Sequence, residues 1–182
     1  MPCCFKFPFE DQDFFGSKAL GDHGDQSAQA MQNDTDWVRA HDLEGFQGKQ
    51  PQLFEGKIEP ADLCQGSVGD CWLVAAFASA AEHPDCIRTQ FVTREYSVAG
   101  SYQVRIFDPI KKKFEVVMVD DRIPCKKGQK KPRFMSPNGS ELWAIILEKA
   151  YAKFCGSYAN LDGGHVLWGW HAMTGEEMYR ST

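Results

Sequence analysis

Residues 71–81, CWLVAAFASAA, are apolar at almost every position and contain neither glycine nor proline. Such a run forms a helix, and with no polar face to offer water it must be covered on all sides. The rest of the chain has to wrap around it, and 182 residues are about one domain's worth, enough for a real core. Asp70 stands where an N-cap side chain accepts from the first-turn amides, and the helix stops near His83-Pro84.

Two alternating runs follow, YQVRIFD (102–108) and FEVVMVD (114–120), joined by a loop of several residues. They predict an antiparallel pair with Tyr102, Val104 and Ile106 on one face, and Val117 and Val119 supplying part of an apolar surface. Residues 121–139 are rich in Pro, Gly and Lys and read as a loop. A second helix is expected over 140–156, with Ser140 as N-cap, Glu141 at its positive start and Gly156 as its stop. Leu142, Ile146, Ala150 and Phe154 recur every four residues and predict a core-facing stripe. Residues 51–64 read as an irregular loop broken by Gly56 and Pro60, and the last 25 residues are rich in Gly and Trp. The expected class is α+β, a buried helix with a small antiparallel sheet. Residues 1–35 are a polar lead, partly disordered, and residues 36–182 form the packed unit.

Charge narrows the function classes. Residues 1–62 carry 5 Lys/Arg against 12 Asp/Glu, while 63–182 carry 15 against 13. An acidic front and a near-neutral remainder give no footprint for nucleic acid. The Lys-rich stretch 126–133 reads as a solvated loop. Seven cysteines form no regular framework, the first residues lack a secretory apolar core, and no apolar run approaches membrane-spanning length. Reduced thiols and a cytoplasmic setting follow, with membrane contact only if Cys3 and Cys4 are acylated.

Cys71 heads the apolar helix. Unpaired amides and the positive end of the helix dipole stabilise a thiolate there, and the thiolate is the nucleophile. Six residues earlier, Gln65 carries an amide able to donate toward the same point as the Cys71 N–H, the layout of an oxyanion hole. Gly66 and Gly69 fit a turn that brings backbone close to substrate. Read locally, Cys71 is equally a small buried hydrophobe beside a tryptophan. Cys64 and Cys71 are no zinc pair without two further ligands, and GSVGDCW lacks the Lys-Ser/Thr of a phosphate loop.

The segment ADLCQGSVGDCWLVAAFASA (61–80) closely resembles the active-site cysteine segment of calpains, calcium-dependent cysteine proteases with a papain-like core. VVMVDDRIP (116–124), GSELW (139–143), LEKAYAKFCGSY (147–158) and LDGG (161–164) occur in calpain order, and FEDQDFF, SKALG and DTDWVRA precede them. The resemblance covers most of the chain from about residue 9 and implies the first half of the catalytic core. It assigns Cys71 as nucleophile and Gln65 as side-chain oxyanion donor. It also implies a Ca²⁺ site held by the carboxylates of Asp62 and Glu141 and the carbonyls of Phe54 and Gly56, a hard-oxygen set that suits the ion.

Calpains place the histidine base and its asparagine partner in the second half of the core, downstream of Thr182. His171 precedes Ala172, yet it falls in the segment matching the end of the first half and reads as a surface or packing histidine. The resemblance therefore implies an endopeptidase acting on protein substrates through a Cys71 thioester. Near-zero turnover is expected from residues 1–182 alone. The alternative is an inactive calpain-like binding protein that associates with a full-length relative or another partner, using an apolar surface that includes Trp168 and Trp170.

Overall fold

In the computed structural model the described residues are 8–46, 48–64, 66 and 69–177. They form an α+β fold with small antiparallel ladders. The helices are α1 (Gly16–Leu20), α2 (Ala28–Asn33), α3 (Cys71–Ala81), α4 (Pro84–Gln90), α5 (Trp143–Cys155) and α6 (Val166–Thr174). The strands are β1 (Thr35–Arg39), β2 (Leu63–Cys64), β3 (Ser101–Asp108), β4 (Lys113–Asp120), β5 (Arg122–Lys126) and β6 (Ser136–Pro137).

The centre of the core is α5, not α3. Every residue from Trp143 to Ala152 is buried, Glu148 and Lys149 included, so the four-residue stripe understates how completely this helix is enclosed. In α3 the inward face is Leu73, Ala76, Phe77, Ala80 and Ala81, with Phe77 meeting Tyr151 of α5 edge-on at 5.3 Å. Its opposite line, Cys71, Ala75 and Ser79, is exposed. Burial on all sides was the expectation, and the structure corrects it. Small side chains tolerate either environment, so composition does not distinguish an open face from a covered one.

Strands β3 and β4 pair antiparallel with Tyr102 opposite Val119, Val104 opposite Val117 and Ile106 opposite Glu115. Tyr102, Val104, Ile106 and Val119 are fully buried against the helices, and Val117 packs beside them. The expected hairpin and its inward face are therefore present. The segment 121–139, expected as a loop, contains β5, which pairs antiparallel with β1, and β6, which pairs with β2. Pro124 disguises β5: it lacks an N–H, sits opposite Trp37, and lends its carbonyl to the Arg133 N–H at 2.9 Å. Ile123 and Cys125 on either side are buried.

Residues 16–35 were expected as a polar lead, with packing beginning at Trp37. They hold α1 and α2, whose Ala19, Leu20 and Met31 are buried, and Phe14 before them packs 5.8 Å from the Tyr158 ring. Few apolar residues suffice here because α1 docks on the end of α5: the Tyr158 N–H donates to the Ala19 carbonyl at 2.8 Å. The second helix begins at Trp143 rather than Ser140, with Leu142 at its N-cap. The Ser140 hydroxyl instead donates to the Glu55 carboxylate. Gly156 ends that helix as expected, with φ +102 in the region that favours glycine.

Helix α6 closes the molecule against α3. Gly169 permits the approach, since a Cβ there would lie 2.7 Å from the Ala76 Cβ. Gly169→Ala gains about 1 kcal/mol of helix propensity but forces two backbone-anchored methyls apart, at about 1–3 kcal/mol. The expected net result is a loss of about 1 kcal/mol, read as a lower urea midpoint with an unchanged slope.

Candidate active site

Cys71 is the first residue of α3 and is exposed. Its position follows from the turn before it. The Asp70 carbonyl accepts from the Leu73 and Val74 N–H groups at 2.8 and 3.0 Å, starting the helix. The Asp70 side chain makes no cap hydrogen bond to α3, contrary to the sequence expectation. It is buried, 2% exposed, and faces Glu148 of α5.

The glycine turn is held by its neighbours. A Cβ on Gly66 would run into the Phe134 carbonyl, and one on Gly69 into the Asp162 carboxylate. The Gly69 carbonyl accepts from the Gly163 N–H at 3.1 Å, so the LDGG segment (161–164) docks directly on the nucleophile loop. Trp72 turns away from solvent beside it. Its indole N–H donates to the Leu161 carbonyl at 2.8 Å, its ring lies against Gly164, and it meets Trp168 edge-on at 6.4 Å. Gln65, the expected oxyanion donor, lies outside the described residues, as do Cys3 and Cys4.

Among the described residues no imidazole hydrogen-bonds Cys71. His23 contacts the Leu20 carbonyl at 3.0 Å, His41 pairs with Asp42, and His165 caps α6 through the Leu167 N–H. His83 sits at the N-cap of α4. His171 meets the Glu176 carbonyl at 2.5 Å and the Phe107 ring edge-on at 5.0 Å, which makes it a packing histidine. Beside α3, Val166, Leu167 and Trp168 of α6 are exposed, Trp168 by 60%, whereas Trp170 is partly buried against the core.

The second cluster joins residues 52–62 to 138–143. Gln52 and Leu53 bond across to Ser140, Leu142 and Trp143 through three backbone hydrogen bonds, the Gln52 N–H to the Ser140 carbonyl at 2.9 Å among them. The Asn138 amide donates to the Ala61 carbonyl at 3.0 Å. Glu141 is thereby drawn under the loop: it accepts from the Glu55 N–H and, at 3.2 Å, from the Trp143 indole. Burial pushes the Glu141 carboxyl up to about 7, and the Asp62 carboxylate hydrogen-bonded against it adds to the rise. Asp62 also accepts from the Glu59 N–H at 2.8 Å.

The structure thus brings Asp62 and Glu141 together. It gives Gly56 a different immediate partner, since its carbonyl accepts from the Arg88 guanidinium at 3.0 Å. That guanidinium also lies 4.7 Å above the Phe54 ring. Arg88 was not legible as part of this cluster, because α4 brings it from outside the loop. Among the described residues no group of three or more His, Cys, Asp or Glu is placed to hold a metal ion by itself. A cation here has two carboxylates and must complete its shell with carbonyls and water. A buried Glu141 carboxyl in contact with the half-exposed Asp62 carboxylate fits that demand, because a divalent ion relieves the like-charge cost.

An exposed thiol at the start of a packed helix, a glycine turn clamped by an LDGG loop and an adjacent carboxylate pair narrow the choice of family. Residues 9–181 match the family described as Calpain family cysteine protease. The chain belongs to the calpain family. It is 42% identical over 134 residues to a calpain-type cysteine protease of rice, covering 72% of this chain and 6% of that protein. It is 39% identical over 131 residues to the calpain-2 catalytic subunit of chicken, covering 69% of the chain and 18% of the relative. A calpain of Schistosoma mansoni is 33% identical over 164 residues, 86% of the chain and 20% of the relative. The calpain match therefore spans no more than a fifth of each of these relatives. No helix among the described residues is long and apolar enough to cross a membrane.

Proposed function

We propose that this chain is the nucleophile-bearing half of a papain-like, calcium-dependent cysteine endopeptidase core, working in the cytoplasm on protein substrates. The observation that carries the reading is the exposure of Cys71 at the first turn of a helix whose other face is buried. A thiolate there attacks a peptide carbonyl, and the amine leaves with a proton from the base. Water then hydrolyses the Cys71 thioester. The Cys71 N–H and the Gln65 amide stabilise the oxyanion. The base and its orienting partner come from a histidine- and asparagine-bearing second half.

The open line Cys71, Ala75 and Ser79 together with exposed Leu167 and Trp168 is where that half packs. The same surface favours a second reading, an inactive binding protein that uses it to hold a full-length relative. A peptidyl electrophile selective for cysteine proteases separates the two. Labelling confined to Cys71 and enhanced by calcium supports the protease half, and indifference to calcium without selectivity supports the binding protein. Cys125 is an internal control, because burial pushes its thiol up to about 12.

Asp62 and Glu141 with the Phe54 and Gly56 carbonyls would hold calcium, the Gly56 carbonyl being at present bonded to Arg88, and the ion would supply a divalent charge to offset the two carboxylates. Its role is structural, since the ligands named belong to this loop and not to the thiol. At ten times its Kd, calcium is expected to add about 1.4 kcal/mol, roughly 4 °C in Tm for a chain this size. Asp62→Asn should abolish that shift in a calorimetric melt while leaving the metal-free melt nearly unchanged.

A further inference from the structure

A second pair of acids lies directly behind the nucleophile. Glu148 of α5 and Asp70 are each 2% exposed, and their carboxyl groups hydrogen-bond each other. Both Glu148 oxygens also accept from the Met135 N–H, at 3.1 and 3.2 Å. Two carboxylates in contact inside a core cannot both be ionised, so the hydrogen bond between them contains a proton. Burial raises the Glu148 carboxyl well above its ordinary value and the Asp70 carboxyl beside it adds to the rise, so the pair shares one proton. In the segment after α5, Tyr158 is a neutral phenol, its ionisation opposed by burial and by the charge of Glu148.

The consequence concerns Asp70. It is the residue from which α3 starts, yet its side chain points inward rather than capping the helix. The contact with Glu148 contributes to keeping the carboxylate there, away from the first-turn amides at Cys71.

We propose that Glu148 is a positioning residue for Cys71: through the shared proton it holds the Asp70 side chain inside the core and so fixes the turn from which the thiol emerges. The proposal rests on the reading of Cys71 as a nucleophile. Glu148 keeps the Asp70 carboxylate off the first-turn amides, leaving them to the thiolate. It also ties the nucleophile loop to the most deeply buried helix of the fold.

The test uses the full chain and follows Cys71 alkylation by iodoacetamide between pH 5 and 9 by mass spectrometry, with exposed Cys64 as reference in the same molecule. Glu148→Gln retains a donor for Asp70 and an acceptor for Met135, and the Cys71 rate should stay within about twofold. Glu148→Leu removes both, and should slow Cys71 by about tenfold and move its pH profile while Cys64 keeps its rate. A folded Glu148→Leu protein with an unchanged Cys71 rate and profile overturns the proposal. If that variant does not fold, the carbonyl infrared band of a protonated carboxyl at neutral pH decides. It must be present in the wild type and lost in Glu148→Gln, and its absence from the wild type overturns the proposal. Wild-type Cys71 reacting no faster than Cys64 sinks the nucleophile reading. A fast Cys71 indifferent to Glu148→Leu sinks the positioning role alone.

Discussion

Replacing Lys149 with methionine is expected to lower the melting temperature by about 10 °C, corresponding to roughly 3–5 kcal/mol. Lys149 is wholly buried on α5, and its ammonium donates to the Asp120 carboxylate and the Arg122 carbonyl. Asp120, also wholly buried, accepts in addition from the Asp11 N–H at 2.9 Å and the Arg122 guanidinium at 2.6 Å. Around this pair the Lys153 ammonium meets Asp11 at 2.6 Å and the Arg39 guanidinium meets Asp121 at 2.6 Å. The network therefore ties residues 9–11 and β1 to the hairpin and to α5. Methionine keeps the stem's volume but leaves Asp120 charged in the core without its closest cation. Lys149→Met combined with Asp120→Asn should recover part of the loss, since the amide still accepts from Asp11 and Arg122 without a charge.

The pH dependence carries a matching sign. Burial works to raise the Asp120 carboxyl, but Lys149, the Asp11 N–H and Arg122 together outweigh it and hold it below its ordinary value. A depressed folded-state value contributes stability that is full above the unfolded carboxylate pKa, about 3.9, and is lost as pH falls through the folded value. In Lys149→Met burial dominates, the folded value rises, and the deficit against wild type shrinks as pH drops from 7 toward 4. Urea midpoints measured across that range check it. A deficit that stays constant with pH would show that lost packing, not the ion pair, causes the effect.

The second large effect is catalytic. With a histidine- and asparagine-bearing second half of a calpain core joined to the chain, Cys71→Ala is expected to reduce peptide cleavage by about 10⁴-fold or more, because the thioester cannot form. The chain alone should turn over almost no peptide, since among the described residues no imidazole stands at the thiol to take its proton. Steady-state cleavage of a fluorogenic peptide measures both. Calcium-dependent cleavage by the unassisted chain that Cys71→Ala removes would place the base within these 182 residues.

What was legible in the sequence lay where neighbours along the chain decide the outcome. The span of α3, the β3–β4 hairpin and the glycine stop after α5 follow from periodicity, propensity and the backbone freedom of Gly156. The identity of Cys71 as the residue heading α3 was equally local, and so was the family, carried by contiguous motifs.

The misread features depend on contacts far along the chain. Ser140 looked like a cap but serves Glu55, 85 residues away. Asp70 looked like a cap but answers to Glu148. β5 hid behind Pro124 because its partner β1 lies some 87 residues earlier. Arg88 reached Gly56 only through the placement of α4.

By itself, then, the sequence determined the family, the two central helices and the place of the thiol, because each is written in short-range pattern. Only the tertiary structure decided which helix is enclosed and which shows an open line. It likewise decided which acids face each other at Asp62–Glu141 and Asp70–Glu148. Burial and like-charge contact are properties of packing between distant segments, and no local pattern of residues encodes them.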